Sequence, residues 1–332
     1  MHFSLVQRFG RLTNRFIRYA DRFRFTSPEW NSANHAATLA RFHEASGRYA
    51  TTHESLLKFK SNHGHTEPHS SLYPWPAWEQ RLAREFSQRV PPRFTEHPII
   101  KETMVFHGRV CNYGRIACVR RAFGDSETSK LLAEDPVGAP RICDASLCTS
   151  SNRLYHAFHL AMYQQTTGKG FAGDGMIVEW GGGYGDMARL LWRFNAGSNL
   201  TTIVLIDLPA VGALQWVYLT AILGRDAVRI IAGPDQKIHK GCVNIMNSAV
   251  AFEHPELLPQ CFISTWALTE SPHPLQSEVV LRDFFGARNV LLAFSLDVDN
   301  QVAAPLRATG GVTIPVPFMS FDGYAPSSYG FK

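Results

Sequence analysis

Met176-Ile177-Val178-Glu179-Trp180-Gly181-Gly182-Gly183-Tyr184-Gly185-Asp186-Met187-Ala188-Arg189-Leu190-Leu191 is the stretch whose reading decides the fold. It begins as an apolar run of strand length and breaks at a carboxylate. It then passes through four glycines in five positions and resumes with apolar residues at helical spacing. The pattern is strand, tight turn, helix. Glycine allows positive φ and lets a ligand approach without meeting a Cβ, while the next helix presents unpaired N–H groups. A nucleotide-like ligand fits such a turn.

A dinucleotide fingerprint wants glycine at the first, third and sixth places, and counting from Gly181 the sixth place is Asp186. Gly181, Gly183 and Gly185 instead form Gly-x-Gly-x-Gly behind Glu179, which resembles the first motif of class I S-adenosylmethionine (SAM) methyltransferases. Thr202-Ile203-Val204-Leu205-Ile206-Asp207-Leu208-Pro209 is a second buried-type strand ending in a carboxylate, with Asp207 22 positions beyond Gly185. A carboxylate at that tip can accept hydrogen bonds from both hydroxyls of a ribose. The plain alternative is a β-to-α turn with Asp207 as a helix cap.

From Met176 onward strands alternate with helices. Strands are expected at 176–180, 202–206, 228–232, 261–265 and 289–295, with a strand-like run at 311–318. Helices are expected at 186–194, 209–223 and 275–285. Such alternation predicts an α/β fold with a doubly wound, mostly parallel, Rossmann-like sheet whose ligands sit at the carboxyl edge. The tail after Asp297 is short for two closing strands, so the far edge of the sheet is expected to be abbreviated. Ser150-Ser151-Asn152 caps a helix ending before Gly168 that leads into the glycine strand.

Upstream the chain reads as helical. Helices are expected from about Pro28 to Gly47, from Ala77 to Arg89 and from Thr95 to Phe123, before a turn-rich piece to Arg141. The organisation is therefore residues 1–145 as a helical cap or dimerisation region and 146–332 as the ligand-binding α/β domain. Residues 61–69 form a polar, histidine-dense loop. Residues 1–25 carry an amphipathic pattern with six arginines between Arg8 and Arg24. Three readings stay open for them: docking on the fold or on a second subunit, contact with an anionic membrane surface, or a transit peptide.

The net charge of +5 is concentrated in that segment, and no nucleic-acid-binding signature accompanies it. No apolar run reaches the roughly eighteen residues that cross a bilayer. The six cysteines show no CxxC spacing, which favours a reducing, cytoplasmic setting.

Three blocks carry a family resemblance: Glu179 to Leu191, Ile206 to Gln215, and Thr265-Trp266-Ala267-Leu268-Thr269-Glu270-Ser271-Pro272. Together they resemble the bacterial sugar O-methyltransferases over about residues 140–297. The resemblance implies that Glu179, Gly181, Gly183 and Gly185 line the methionine and ribose part of SAM, that Asp207 holds its ribose hydroxyls, and that Leu208 packs near adenine.

Methyl transfer from a sulfonium asks the protein to align acceptor and donor and to keep water out. An alcohol acceptor must also lose a proton, for which histidine has a suitable pKa. His273, flanked by Pro272 and Pro274 after the fourth strand, is expected in an extended loop above the pocket as the base. Glu270 is the rival base or a metal ligand, and His239 and His254 are weaker candidates. Asp297 and Asp299 do not complete a ligand set, so no metal is assigned. The expected function is methyl transfer to a hydroxyl of a small polar acceptor, a sugar or a natural-product intermediate. Carbon or nitrogen methylation and a non-catalytic SAM-binding partner protein are the alternatives.

Overall fold

The structure, a computed structural model, describes residues 33–59, 74–106, 113–171, 175–195, 201–295, 301–317 and 326–332. The basic segment 1–25, the histidine loop 61–69 and the Asp297/Asp299 pair lie outside the described residues.

The glycine stretch folds as read. β3 (Met176–Trp180) ends at the turn, and α8 (Asp186–Phe194) starts behind Gly185, whose φ is +99°. β4 (Thr202–Ile206) then feeds α9 (Pro209–Leu223), with proline in the first turn, where its missing N–H costs nothing. β5 (Val228–Ile230), β6 (Val243–Met246), β7 (Cys261–Thr265), β8 (Asn289–Ser295), β9 (Val312–Pro315) and β10 (Ser327–Phe331) complete an eight-stranded sheet. Its order is β5-β6-β4-β3-β7-β8-β10-β9. All pairs are parallel except those of β10, which runs antiparallel to both β8 and β9. This is the doubly wound, mostly parallel Rossmann-like sheet that the alternation of strands and helices predicts.

Two strands were not foreseen. β6 lies in what reads as a long connection. β10 corrects the expectation of an abbreviated far edge: both closing strands are present, the second carried by the polar-looking Ser327-Ser328-Tyr329-Gly330-Phe331. The order reverses between β4 and β7 around β3, so the carboxyl ends of these strands open a crevice, the ordinary ligand position of such sheets.

Both faces of the sheet are covered, which is why its strands read as unbroken apolar runs. Ile177, Leu205, Ile245, Ile263 and Leu291 face one layer, and Val178, Val204, Met246, Phe262 and Val290 the other, as the strand period of two requires. The second layer holds α10 (Ser248–Glu253), α11 (Ala267–Glu270) and α12 (His273–Leu281).

The first layer holds α7 (Ser151–Thr167), α8, α9 and the upstream helices. These are α1 (Ala33–Ser46), α2 (Tyr49–Leu56), α3 (Trp75–Glu85), α4 (Pro98–Thr103), α5 (Tyr113–Phe123) and α6 (Asp125–Leu132). The helix expected over 95–123 is thus two pieces, and residues 104–106 between them are not helical. A short hairpin, β1 (Ile142–Asp144) with β2 (Thr149–Ser150), joins the two halves.

Helix α9 is buried from Ala210 to Ala221. It lies between the sheet and the upstream helices, where the Tyr49 hydroxyl donates to the Ala210 carbonyl at 3.0 Å and Arg41 Nε to the Ala221 carbonyl at 2.9 Å. Asn247 ties the same region to the crevice: its Oδ1 caps α10 and its Nδ2 donates to the Leu56 carbonyl at 2.7 Å.

Candidate functional site

A cavity of about 940 Å³ occupies the crevice. Its floor is the turn Glu179–Tyr184, with Asp207, Leu208 and Val211 on one side and Thr265, Trp266, Ala267 and Glu270 on the other. Its roof is the upstream segment Lys101–Phe106, with Trp75 beside it, and α7 supplies Asn152, Tyr155 and His156. The parallel register puts Glu179 level with Leu205 and Ile263, so the strand ends deliver their next residues to one place.

Gly181 has φ +74°, and a Cβ there would stand 2.0 Å from that of Ala267. Gly183 has φ +55° and would meet only Met104, at 3.5 Å. Gly182 passes so close beneath Glu179 that a Cβ would lie 3.0–3.3 Å from its carboxyl atoms. The turn is therefore a bare backbone cradle with one carboxyl set over it.

That carboxyl is buried, 3% exposed, and its Oε2 has no hydrogen-bond partner. Burial, joined by the charges of Asp207 and Asp186, pushes Glu179 up to about 8. Asp207 is pushed up to about 7, mainly by burial, although the Leu208 N–H (2.8 Å) and Gln215 Nε2 (2.7 Å) donate to it. Gln215 also donates to the Gly183 carbonyl at 2.9 Å, so one side chain clamps the glycine turn to the tip of β4. Glu270 lines the cavity too, and burial pushes it up to about 7. Among the described residues the deep wall thus holds three carboxyls and no lysine or arginine. The charged lining residues at the rim, Glu96, Lys101 and Glu102, are exposed.

This donor set fits SAM, whose ammonium and sulfonium supply positive charge and whose ribose supplies hydroxyls. An orphaned buried carboxylate oxygen over a glycine cradle is what a cation would satisfy. Glu179, Gly181, Gly183, Asp207 and Leu208 all line the cavity; Gly185 does not, and instead starts α8 against Leu219. Trp180 follows the strand alternation into the opposite layer, where its Nε1 donates to Ser271 Oγ at 3.1 Å.

The expected bases divide. Glu270 reaches the cavity, whereas His273 is exposed, does not line it, and is the first residue of α12 instead of part of an extended loop. Pro272 and Pro274 start that helix, since proline is tolerated in a first turn. His239 is exposed, and His254 Nε2 is engaged by the Gln236 carbonyl at 2.8 Å. Among the described residues no group of histidine, cysteine and carboxylate side chains could hold a metal ion.

Sequence reading missed an aromatic wall. Phe106 stacks on Tyr155 at 3.7 Å, and Tyr155 stacks on Trp266 at 5.5 Å. Trp266, the residue after β7, has φ +68°, a conformation costly outside glycine, held by its N–H on the Ala293 carbonyl at 2.6 Å. It missed the polar group beneath as well. Asp186, fully buried, takes Arg153 Nη2 at 2.6 Å, the Tyr218 hydroxyl at 3.3 Å and His156 Nδ1 at 3.0 Å. Arg153 is shared with Glu134 at 2.9 Å, and Arg189 with Asp135 at 2.6 Å, which locks the loop before β1 onto α7 and α8.

A scan of family models finds no match, and no curated protein matches. Among solved structures the chain is similar to the mitomycin 7-O-methyltransferase MmcR, at 14% identity over 54% of this chain and 56% of that one, with a TM-score of 0.35. It is similar to magnesium protoporphyrin IX methyltransferase (ChlM) from Synechocystis with bound SAM, at 11% identity over 54% and 84%, TM-score 0.34. An O-methyltransferase family protein from Burkholderia thailandensis gives 13% over 54% and 60%, TM-score 0.33. The doubly wound architecture rests on the strand order itself. Among the described residues no helix is long and apolar enough to cross a membrane.

Proposed function

We propose that this protein is an SAM-dependent methyltransferase that methylates a hydroxyl of a small polar acceptor, a sugar or a natural-product intermediate. The observation that carries the reading is the buried Glu179 carboxyl, one oxygen without a partner, set over the glycine cradle at the switch point of the sheet. Glu179 would meet the ammonium of SAM, Asp207 its ribose hydroxyls, and Leu208 its adenine. When bound, SAM supplies an electrophilic methyl group whose transfer leaves a neutral thioether.

The chain's own residues do the rest. The roof Lys101–Phe106 shields the reacting atoms from water, which strengthens each electrostatic contact inside. The Phe106–Tyr155–Trp266 wall offers ring faces and edges to the apolar side of a sugar or to a planar acceptor. With Glu179 and Asp207 engaged by SAM, Glu270 is the deep carboxyl left to face the acceptor, which favours a neutral or amine-bearing acceptor over an anionic one.

Calorimetry with S-adenosylhomocysteine tests the cofactor half. The wild type is expected to bind and Gly183→Val to lose binding. No binding by the wild type, or equal binding by the variant, refutes the proposal.

A further inference from the structure

The geometry points to His156, oriented by the buried Asp186 carboxylate, as the base that takes the acceptor's hydroxyl proton. This inference rests on the methyltransferase reading above and adds the residue that makes a hydroxyl usable.

Asp186 sits at the start of α8, directly behind the glycine turn, and is fully buried. Burial alone would raise its pKa. The Arg153 guanidinium, with help from the His156 hydrogen bond, overrides that and holds the carboxyl well below the usual range. Asp186 is therefore an anion, and a carboxylate can only accept. Its contact with His156 Nδ1 at 3.0 Å then requires the ring proton on Nδ1, which in a neutral imidazole leaves the lone pair on Nε2. His156 lines the cavity and its side chain is 17% exposed, so Nε2 is the ring nitrogen left to act there.

The carboxylate cannot swing away, because Arg153, Tyr218 and Asn152 also hold it. Asn152 in turn accepts from the Phe106 N–H at 2.8 Å, which links the dyad to the roof of the cavity. Among the described residues His159 is a further titratable neighbour, with ring centroids 6.4 Å apart; burial keeps it neutral by holding its pKa well below the usual value.

The step balances. The acceptor O–H bond breaks, its electron pair stays on oxygen for the bond to the methyl carbon, and the proton ends on Nε2. The imidazolium so formed lies beside an anion that is already in place. His156 is then the catalytic residue and Asp186 a positioning residue. Aligned bases of this kind contribute roughly 10²–10⁴-fold.

The test uses the full chain with S-adenosylhomocysteine bound and histidine labelled with ¹⁵N. Long-range proton–nitrogen spectra at pH 8 are expected to show His156 protonated at Nδ1 and bare at Nε2. A neutral ring protonated at Nε2, or an imidazolium at that pH, overturns the inference. In parallel, label transfer from SAM to a panel of neutral glycosides, polyols and phenols is compared for wild type and His156→Gln, which keeps a donor for Asp186. The variant is expected to lose at least a hundredfold in transfer and to keep S-adenosylhomocysteine affinity within about threefold. A variant retaining more than a tenth of wild-type transfer overturns the role of His156. A wild type that binds S-adenosylhomocysteine and labels no member of the panel overturns the hydroxyl-acceptor reading beneath it.

Discussion

Replacing Glu179 by glutamine should make the ligand-free protein more stable at alkaline pH. Glu179 ionises at an ordinary value of 4.5 in the unfolded chain, and the folded pocket pushes it to about 8. The sign follows from linkage. Below pH 4.5 both states hold the proton and the folded state keeps its full stability. Between 4.5 and 8 the unfolded chain ionises while the folded pocket still holds its proton, so stability falls, and above 8 it levels off. At 1.36 kcal/mol per pH unit the loss is on the order of 5 kcal/mol, an upper figure because neighbouring carboxyls share it.

Glutamine has the same shape and no proton to lose, so Glu179→Gln should match the wild type near pH 4.5 and exceed it by several kcal/mol at pH 9. Asp207 and Glu270, each raised to about 7, leave a residual slope of the same sign in the variant. Urea midpoints at pH 4.5, 7 and 9 measure this. Parallel losses in wild type and variant, or a wild type that gains stability with rising pH, would refute the reasoning. The same substitution should weaken S-adenosylhomocysteine, because the ligand's ammonium loses its anion.

Gly181→Ala forces an L side chain to φ +74° with its Cβ 2.0 Å from that of Ala267, so urea unfolding should show a loss of about 2–5 kcal/mol. Gly183→Ala, with Met104 at 3.5 Å, should lose only about 1–2 kcal/mol in the same assay. Gln215→Leu releases both the Gly183 carbonyl and Asp207 and should weaken S-adenosylhomocysteine by calorimetry, at a stability loss of about 1–3 kcal/mol. Arg153→Met leaves Asp186 and Glu134 buried without their cation and should lower stability by about 3–5 kcal/mol by differential scanning calorimetry. An unchanged midpoint in that variant would mean that the ion network is not what joins α7, α8 and the loop before β1.

The elements around the glycine turn were legible in the sequence because their signals agree. β3 is an apolar run broken only by Glu179 and β4 one that ends at Asp207, and α7 runs from the Ser150 cap, whose Oγ accepts from the Arg153 N–H at 3.0 Å, to Gly168 at φ +69°. β6 was hidden by Asn244, whose side chain is buried and spends its amide on the carbonyls of His239 and Cys242. β10 was hidden by two serines and a glycine, although every residue in it is buried. Gly330 leaves room there for Leu306, whose Cδ2 a Cβ would approach to 2.6 Å.

At the site, Glu179 and Asp207 could be read because carboxylates at strand ends stand out from apolar surroundings, and Glu270 because it follows β7 on a short helix at the same edge of the sheet. His156 could not. It lies on an apolar helix beside Tyr155, and its partner Asp186 is 30 positions away, a pairing that only the packing of α7 on α8 creates. His273 misled for the opposite reason: two prolines suggest an extended loop as readily as the first turn of a helix.

Helix α9 has no outward face. Because the sheet covers one side of it and α1 and α2 the other, the upstream helices complete the interior of the α/β half as well as roofing its cavity. A fragment beginning at residue 146 would turn the face of α9 that packs on α1 and α2 to water, so the upstream helices and the sheet are expected to fold as one piece. Substitutions in Lys101–Phe106 would then reshape the cavity in place, whereas replacing the upstream helices would have to rebuild the second wall around α9 at the same time.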